Sequence, residues 1–308
     1  MKRKITLFAV LFIFSVNIFA EFNPLSFVTF KTSLSFMLGE EGASFPVSRN
    51  LNPFAINKYE TTYEIWYKIR KKSEKLGYNF ANLGQAGTFG RYGEEPTEEN
   101  ANQPVTTISW YDAIVWCNAL SELSGKTPCY TYEGEIIRDS SNTAICDLCE
   151  CNFNANGYRL PSESEWEYAA RKTKKGFQSG SCVSGQNSEN EEAGLLFAWT
   201  NLNANQTRIV GTAGIPFDPN SISLPATGNS NFAGLFDMSG NVMEYCWDWF
   251  SPEYIEDSLY GPETGFERVS RGGSISRFTP FYFAGDRYSY NPSEYYNFFG
   301  FRICYTCE

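Results

Sequence analysis

Nine cysteines and no histidine set the chemistry open to this chain. Without an imidazole, Ser-His-Asp and Cys-His nucleophile pairs, His-ligated zinc or iron, and histidine acid–base catalysis are all excluded. Carboxylates, thiols, phenols and lysines remain. The thiols are Cys117, Cys129, Cys146, Cys149, Cys151, Cys182, Cys246, Cys304 and Cys307, and an odd number leaves at least one unpaired within a monomer. Cys146/Cys149 and Cys304/Cys307 are CxxC pairs with the spacing of a four-thiolate zinc site. In an oxidising compartment the same residues become structural disulfides, which is the reading preferred here. Cys117 falls on the apolar face of a helix and reads as a small buried side chain.

Three helices are marked by their starts. Thr61 with Glu64, Ser109 with Asp112, and Ser162 with Glu165 have capping-box spacing, each just before an apolar face. Gly125 stops the second helix. The stretch from Thr173 to Glu192, rich in Gly, Ser, Asn and Lys, reads as a solvated surface insertion. A second long loop runs from Gly211 to Asn231. Gly272, Gly273 and Gly300 are expected to adopt backbone angles closed to other residues. Arg159, Arg271 and Arg302 are expected to pair with buried carboxylates such as Glu165 or Glu167. No period of repeats appears, so the chain reads as one α+β domain, residues 21–308, loop-rich with few short helices and strands.

The amino end carries Lys2, Arg3 and Lys4, then an apolar run from Ile5 to Ala20. A run of about 16 residues falls short of the roughly 20 that span a bilayer. It reads as a signal peptide, residues 1–20, with a membrane anchor or a buried helix as the alternatives. The mature chain is then expected outside the cytoplasm, in the periplasm, on the surface or secreted, with no membrane span. With 35 acidic against 25 basic side chains and a net charge of −10, the 308-residue chain makes a poor nucleic-acid binder.

The motif Asn156-Gly-Tyr-Arg-Leu-Pro-Ser-Glu-Ser-Glu-Trp-Glu-Tyr-Ala-Ala-Arg171 resembles the signature of the formylglycine-generating enzyme, or sulfatase-modifying factor, family. Gly234-Leu-Phe-Asp-Met-Ser-Gly-Asn-Val-Met-Glu-Tyr245, Arg268-Val-Ser-Arg-Gly-Gly-Ser274 and Gly300-Phe-Arg302 follow in the family's order. The resemblance implies a variant of the C-type lectin fold. It also implies positions for the two cysteines with which the family's oxidases bind copper and substrate, and here those positions hold Arg277 and Tyr282. Neither supplies a thiolate, so no copper and no catalytic residues are expected. An oxidase acting on cysteine-containing substrates through a relocated thiol pair is the alternative. The family's calcium site maps to Asp237 and Glu244 by side chain and to Gly240 and Val242 by carbonyl, implying a structural calcium ion.

Residues 275–299 differ from the rest: 10 of these 25 are Phe or Tyr, against 17% aromatic residues in the whole chain, and they follow neither strand nor helix spacing. Rings among short polar residues give large contact area with adaptable hydrogen bonds, as in antibody loops. Ser276, Arg277, Phe278, Phe281, Tyr282, Phe283, Asp286, Tyr288, Tyr290, Glu294, Tyr295, Tyr296 and Phe298 form the expected binding face for a protein or glycan. The arrangement resembles the variable proteins of diversity-generating retroelements, in which Arg287, Asn291 and Pro292 would be constant framework. A structural extracytoplasmic module is the third reading, with these rings as core.

Overall fold

The computed structural model describes residues 22–32, 34–39, 46–216, 218, 221, 223–276 and 282–307. The chain opens with strands β1 (Phe27–Phe30), β2 (Ser35–Leu38), β3 (Val47–Asn50) and β4 (Phe54–Asn57), then helix α1 (Tyr63–Ser73). Short β5 (Gln85–Ala86) and β6 (Val105–Thr106) precede α2 (Trp110–Leu123). Then come β7 (Tyr130–Tyr132), β8 (Glu135–Ile136), α3 (Thr143–Asp147) and β9 (Glu150–Cys151). After α4 (Glu163–Arg171) and one-turn α5 (Glu191–Gly194), a long irregular stretch leads to β10 (Met243–Trp249). The last strands are β11 (Arg268–Arg271), β12 (Arg287–Tyr290), β13 (Phe299–Gly300) and β14 (Cys304–Thr306).

Two sheets organise these pieces. The order β12-β11-β10-β13 makes the four-stranded sheet, in which only β13 runs parallel to its neighbour. The order β1-β4-β14 makes a three-stranded sheet in which Cys304 of the last strand faces Ile56 near the start of the chain. This is the loop-rich α+β architecture expected. Helix α2 explains its own burial: twelve of its residues, from Trp110 to Ser121, are buried, and the Ser109–Asp112 capping box closes its amino end. The Ser162–Glu165 box does the same for α4.

Two local expectations fail for tertiary reasons. Helix α1 is capped at Thr62 with no side-chain bond, not at Thr61. The Thr61 backbone is instead held from elsewhere, its N–H donating to Phe301 O at 2.8 Å and its carbonyl accepting from Val105 N at 2.9 Å. Nor is the stretch from Thr173 to Glu192 wholly solvated. Gln178 and Cys182–Gly185 are buried, and the Gln178 amide bonds Val183 O at 2.9 Å and Gly185 N at 2.8 Å.

Buried ion pairs tie the sheets to α4, with the three arginines expected. Arg159 donates to Glu165 through both terminal guanidinium nitrogens, Nη1 and Nη2, at 2.6 and 2.7 Å. Arg302 grips Glu244 at 2.6 Å through Nε and again through Nη2, and Trp166 Nε1 donates to the same carboxylate at 2.7 Å. Glu167, fully buried, accepts from Arg171 at 2.5 Å and also from Arg271. Gly272 and Gly273 do take positive φ, at 86° and 64°. Gly300 does not; it is needed for space, since a Cβ there would lie 2.7 Å from Val242 Cγ2 and 2.9 Å from Val105 O.

Candidate binding face

Strand β12 is the edge of the four-stranded sheet, and its alternation sends Tyr288 and Tyr290 to one side, rings 6.5 Å apart. The chain then turns at Asn291, whose Oδ1 accepts from Ser293 N and Oγ. The following loop is pinned from four sides. Pro292 O accepts from Trp110 N, Tyr296 O from Thr107 N, and Glu294 O from the Tyr245 hydroxyl, while the Asn297 amide donates to Thr88 O at 3.1 Å. Phe299, fully buried, anchors a ring cluster: Tyr290 sits 4.5 Å from it, Phe298 5.1 Å and Tyr296 5.3 Å. On this frame Tyr295 and Tyr296 are 51% and 42% exposed.

The structure therefore divides the expected face. Tyr295 and Tyr296 stand in solvent; Ser276, Phe283, Asp286, Tyr288, Tyr290, Glu294 and Phe298 are half-buried. Tyr282 departs from expectation. It is buried in a small cluster with Val183 and Ala198, and its hydroxyl faces Glu191 at 3.4 Å. Asp286 holds the turn before β12, with Oδ2 accepting from Phe283 N at 2.8 Å. Arg287 behaves as framework, bridging to Glu163 at 2.5 and 2.8 Å with Tyr254 stacked 4.1 Å away. Arg277, Phe278 and Phe281 lie outside the described residues. Burial, with Tyr288 beside it, pushes the Tyr290 phenol up to about 12, while Glu294 raises that of Tyr296. Both hydroxyls thus stay protonated donors at neutral pH.

One exposed ring next to a residue that holds this loop was not legible in the sequence. Phe89, 72% exposed, follows Thr88, the residue bonded to Asn297. Its turn is fixed by reciprocal bonds between Thr88 and Thr207, at 2.8 and 3.0 Å. The only signal was an apolar ring in Gly87-Thr-Phe-Gly90, between two glycines.

The calcium quartet is buried but differently engaged. Glu244 has both oxygens on Arg302, one of them shared with Trp166. Asp237 Oδ2 accepts from Gly211 N at 2.5 Å, leaving Oδ1 without a partner. Glu60, absent from the sequence reading, occupies the Val242 N–H at 3.0 Å and the Asn241 amide at 2.6 Å. Calcium takes roughly six to eight oxygens, and a carboxylate already neutralised by a guanidinium is a poor one. The quartet of Asp237, Gly240, Val242 and Glu244 does not fit the ion as folded, and among the described residues no group of three or more acidic or thiol ligands is gathered.

The disulfides expected are also not formed: all nine cysteines are free. Cys304 lies on β14 facing the core, its sulfur 2.9 Å from Arg159 Nη1, while Cys307 follows the strand and is partly exposed. Burial pushes the thiols up, Cys129 to about 11 and Cys149 to about 12. Thiolate, the nucleophilic and metal-binding form, is suppressed accordingly.

Among the described residues no helix is long and apolar enough to cross a membrane. The model of the sulfatase-modifying factor enzyme 1-like domain matches residues 32–307. The chain is 33% identical over 248 residues to the chaperone protein LppX of Paenibacillus barcinonensis, covering 76% of each. It is 37% identical over 124 residues to the formylglycine-generating enzyme of Streptomyces coelicolor, which spans only 38% of this chain and 36% of that enzyme. Among solved structures, Treponema denticola variable protein 1 superposes with a TM-score of 0.67 at 27% identity, over 91% of this chain and 95% of that one. The motifs, the fold and these matches agree, and the chain belongs to the sulfatase-modifying factor enzyme 1-like family.

Proposed function

We propose that this protein is a non-catalytic binding protein acting outside the cytoplasm, which recognises a protein or glycan through residues 276–298 with Tyr295 and Tyr296 at the centre. The observation that carries the reading is a pair of solvent-exposed phenols on a loop fixed by main-chain hydrogen bonds. Rings held rigid before binding lose little entropy on contact and make effective anchors. The likeness to Treponema denticola variable protein 1 supports it. The absence of thiols at Arg277 and Tyr282 supports binding over oxidation, and the basic and apolar start supports export.

The test is a protein and glycan array probed with the wild-type chain and with Tyr295→Ala/Tyr296→Ala. Hits lost in the double variant, with folding intact, support the reading; an array on which no hit depends on these two rings overturns it. Formylglycine produced on a cysteine peptide in the presence of copper would overturn its non-catalytic part. A second reading comes from the likeness to the LppX chaperone: the same rings would hold a partly folded client. Suppression of client aggregation that depends on Tyr295 and Tyr296 would favour it.

A further inference from the structure

We propose that the cavity beside the carboxyl end of α4 binds one anionic sugar residue, a uronic acid or a sulfated hexose. The cavity measures about 270 Å³ and lies between the end of β1, the turn after α4 and the loop at Phe232. That is just below the roughly 300 Å³ at which pockets for drug-sized ligands begin, so the occupant is of monosaccharide size. Lys31, Lys172 and Lys174 line it, and among the described lining residues there is no carboxylate, in a chain of net charge −10. Lys172 caps α4 and lies over the rings of Tyr168 and Phe177, at 5.4 and 4.6 Å, a structural role that suits a helix end. That role does not account for the exposed Lys174 lining the same hollow.

The second feature is an apolar ring held open. Phe232 is 41% exposed and lines the cavity, yet its turn is anchored by the side chain of the residue before it. The Asn231 amide donates to Ala169 O at 3.0 Å and to Ser184 Oγ at 3.1 Å, while its oxygen accepts from Ala233 N at 3.0 Å and Leu235 N at 2.9 Å. A fixed ring facing water, with threonine hydroxyls and ammonium groups around it, matches a pyranose: its C–H face lies on the ring, its hydroxyls bond the threonines and its anionic group meets the lysines.

Calorimetric titration of the full chain with a sulfated, uronate-containing disaccharide tests this, against neutral cellobiose and sodium sulfate. The expected result is binding of the anionic disaccharide alone, weakened about tenfold or more by Phe232→Ala and by Lys174→Gln, and weakened by added salt. Lys174 is exposed, so its variant remains informative even if Phe232→Ala misfolds. No binding, equal binding of cellobiose, or sulfate binding that ignores Phe232 would each overturn the proposal. Retention in Tyr295→Ala/Tyr296→Ala is expected, which separates this site from the aromatic face.

Discussion

Two aromatic regions of this molecule are built from similar side chains and meet opposite surroundings. Around Arg268, Trp249 and Trp110 lie on either count within stacking range of the guanidinium, at 3.4 and 3.8 Å, and Trp247 O accepts from it at 2.6 Å. Trp110 gives its own N–H to Cys246 O at 2.9 Å. Burial there lowers the arginine to about 10. In the loop after Pro292, by contrast, the main chain is held by the core while the Tyr295 and Tyr296 rings are left to water. The lesson is that ring content alone does not separate core from contact surface. What separates them here is whether the rings themselves are enclosed by partners, as around Arg268, or the loop is pinned to the core through its main chain and its Asn side chains while two rings stay outside.

The comparison breaks most severely if the buried ion pairs are dispensable. Glu167→Ala takes the carboxylate from buried Arg171 and leaves Arg271 only the more distant Glu163, at 3.7 Å, and chemical denaturation is expected to show a loss of about 3–5 kcal/mol. Tyr282→Ala empties part of a small apolar cluster and is expected to cost about 2–3 kcal/mol by the same measurement, which places it with the core rather than with the face.

A pH series sharpens the contrast. Burial, reinforced by Glu163, pushes Asp248 from its ordinary 3.8 to about 8. A carboxyl raised on folding contributes stability that is complete below its unfolded value and is lost as pH rises through its folded one. The wild-type Tm is therefore expected to fall between about pH 4 and pH 8, and Asp248→Asn to flatten that fall in calorimetry. The smallest effect belongs to the exposed pair: Tyr295→Ala/Tyr296→Ala should change stability by less than about 1 kcal/mol while costing about 2 kcal/mol or more of binding. A large stability loss in that variant would move the loop into the core and remove the binding reading.

Much of the scaffold was legible because its signals are local. The Ser109–Asp112 and Ser162–Glu165 caps need only three residues to close, and both form. The Thr61–Glu64 spacing is equally good and fails, because the Thr61 backbone is recruited by Phe301 and Val105, and Glu64 turns to Lys68 at 2.6 Å. The site was half legible. Composition marked residues 275–299, but not that Tyr282 would be enclosed by Val183 and Ala198, nor that Thr88, before the exposed Phe89, would bond Asn297. Residue types and spacing likewise carry no account of a guanidinium already seated on Glu244, or of the direction in which Cys304 points.

By itself the sequence determined the family, the absence of imidazole chemistry, the helix starts closed by their own side chains and the aromatic tail. Tertiary structure alone decided which rings meet water, which carboxylates meet arginine, and that Asn231 fixes an exposed Phe232 beside lysines from separate elements. The reason is range. A cap or a motif is satisfied within a few bonds along the chain, whereas burial and charge pairing depend on groups far apart in sequence, brought together only when the sheets close.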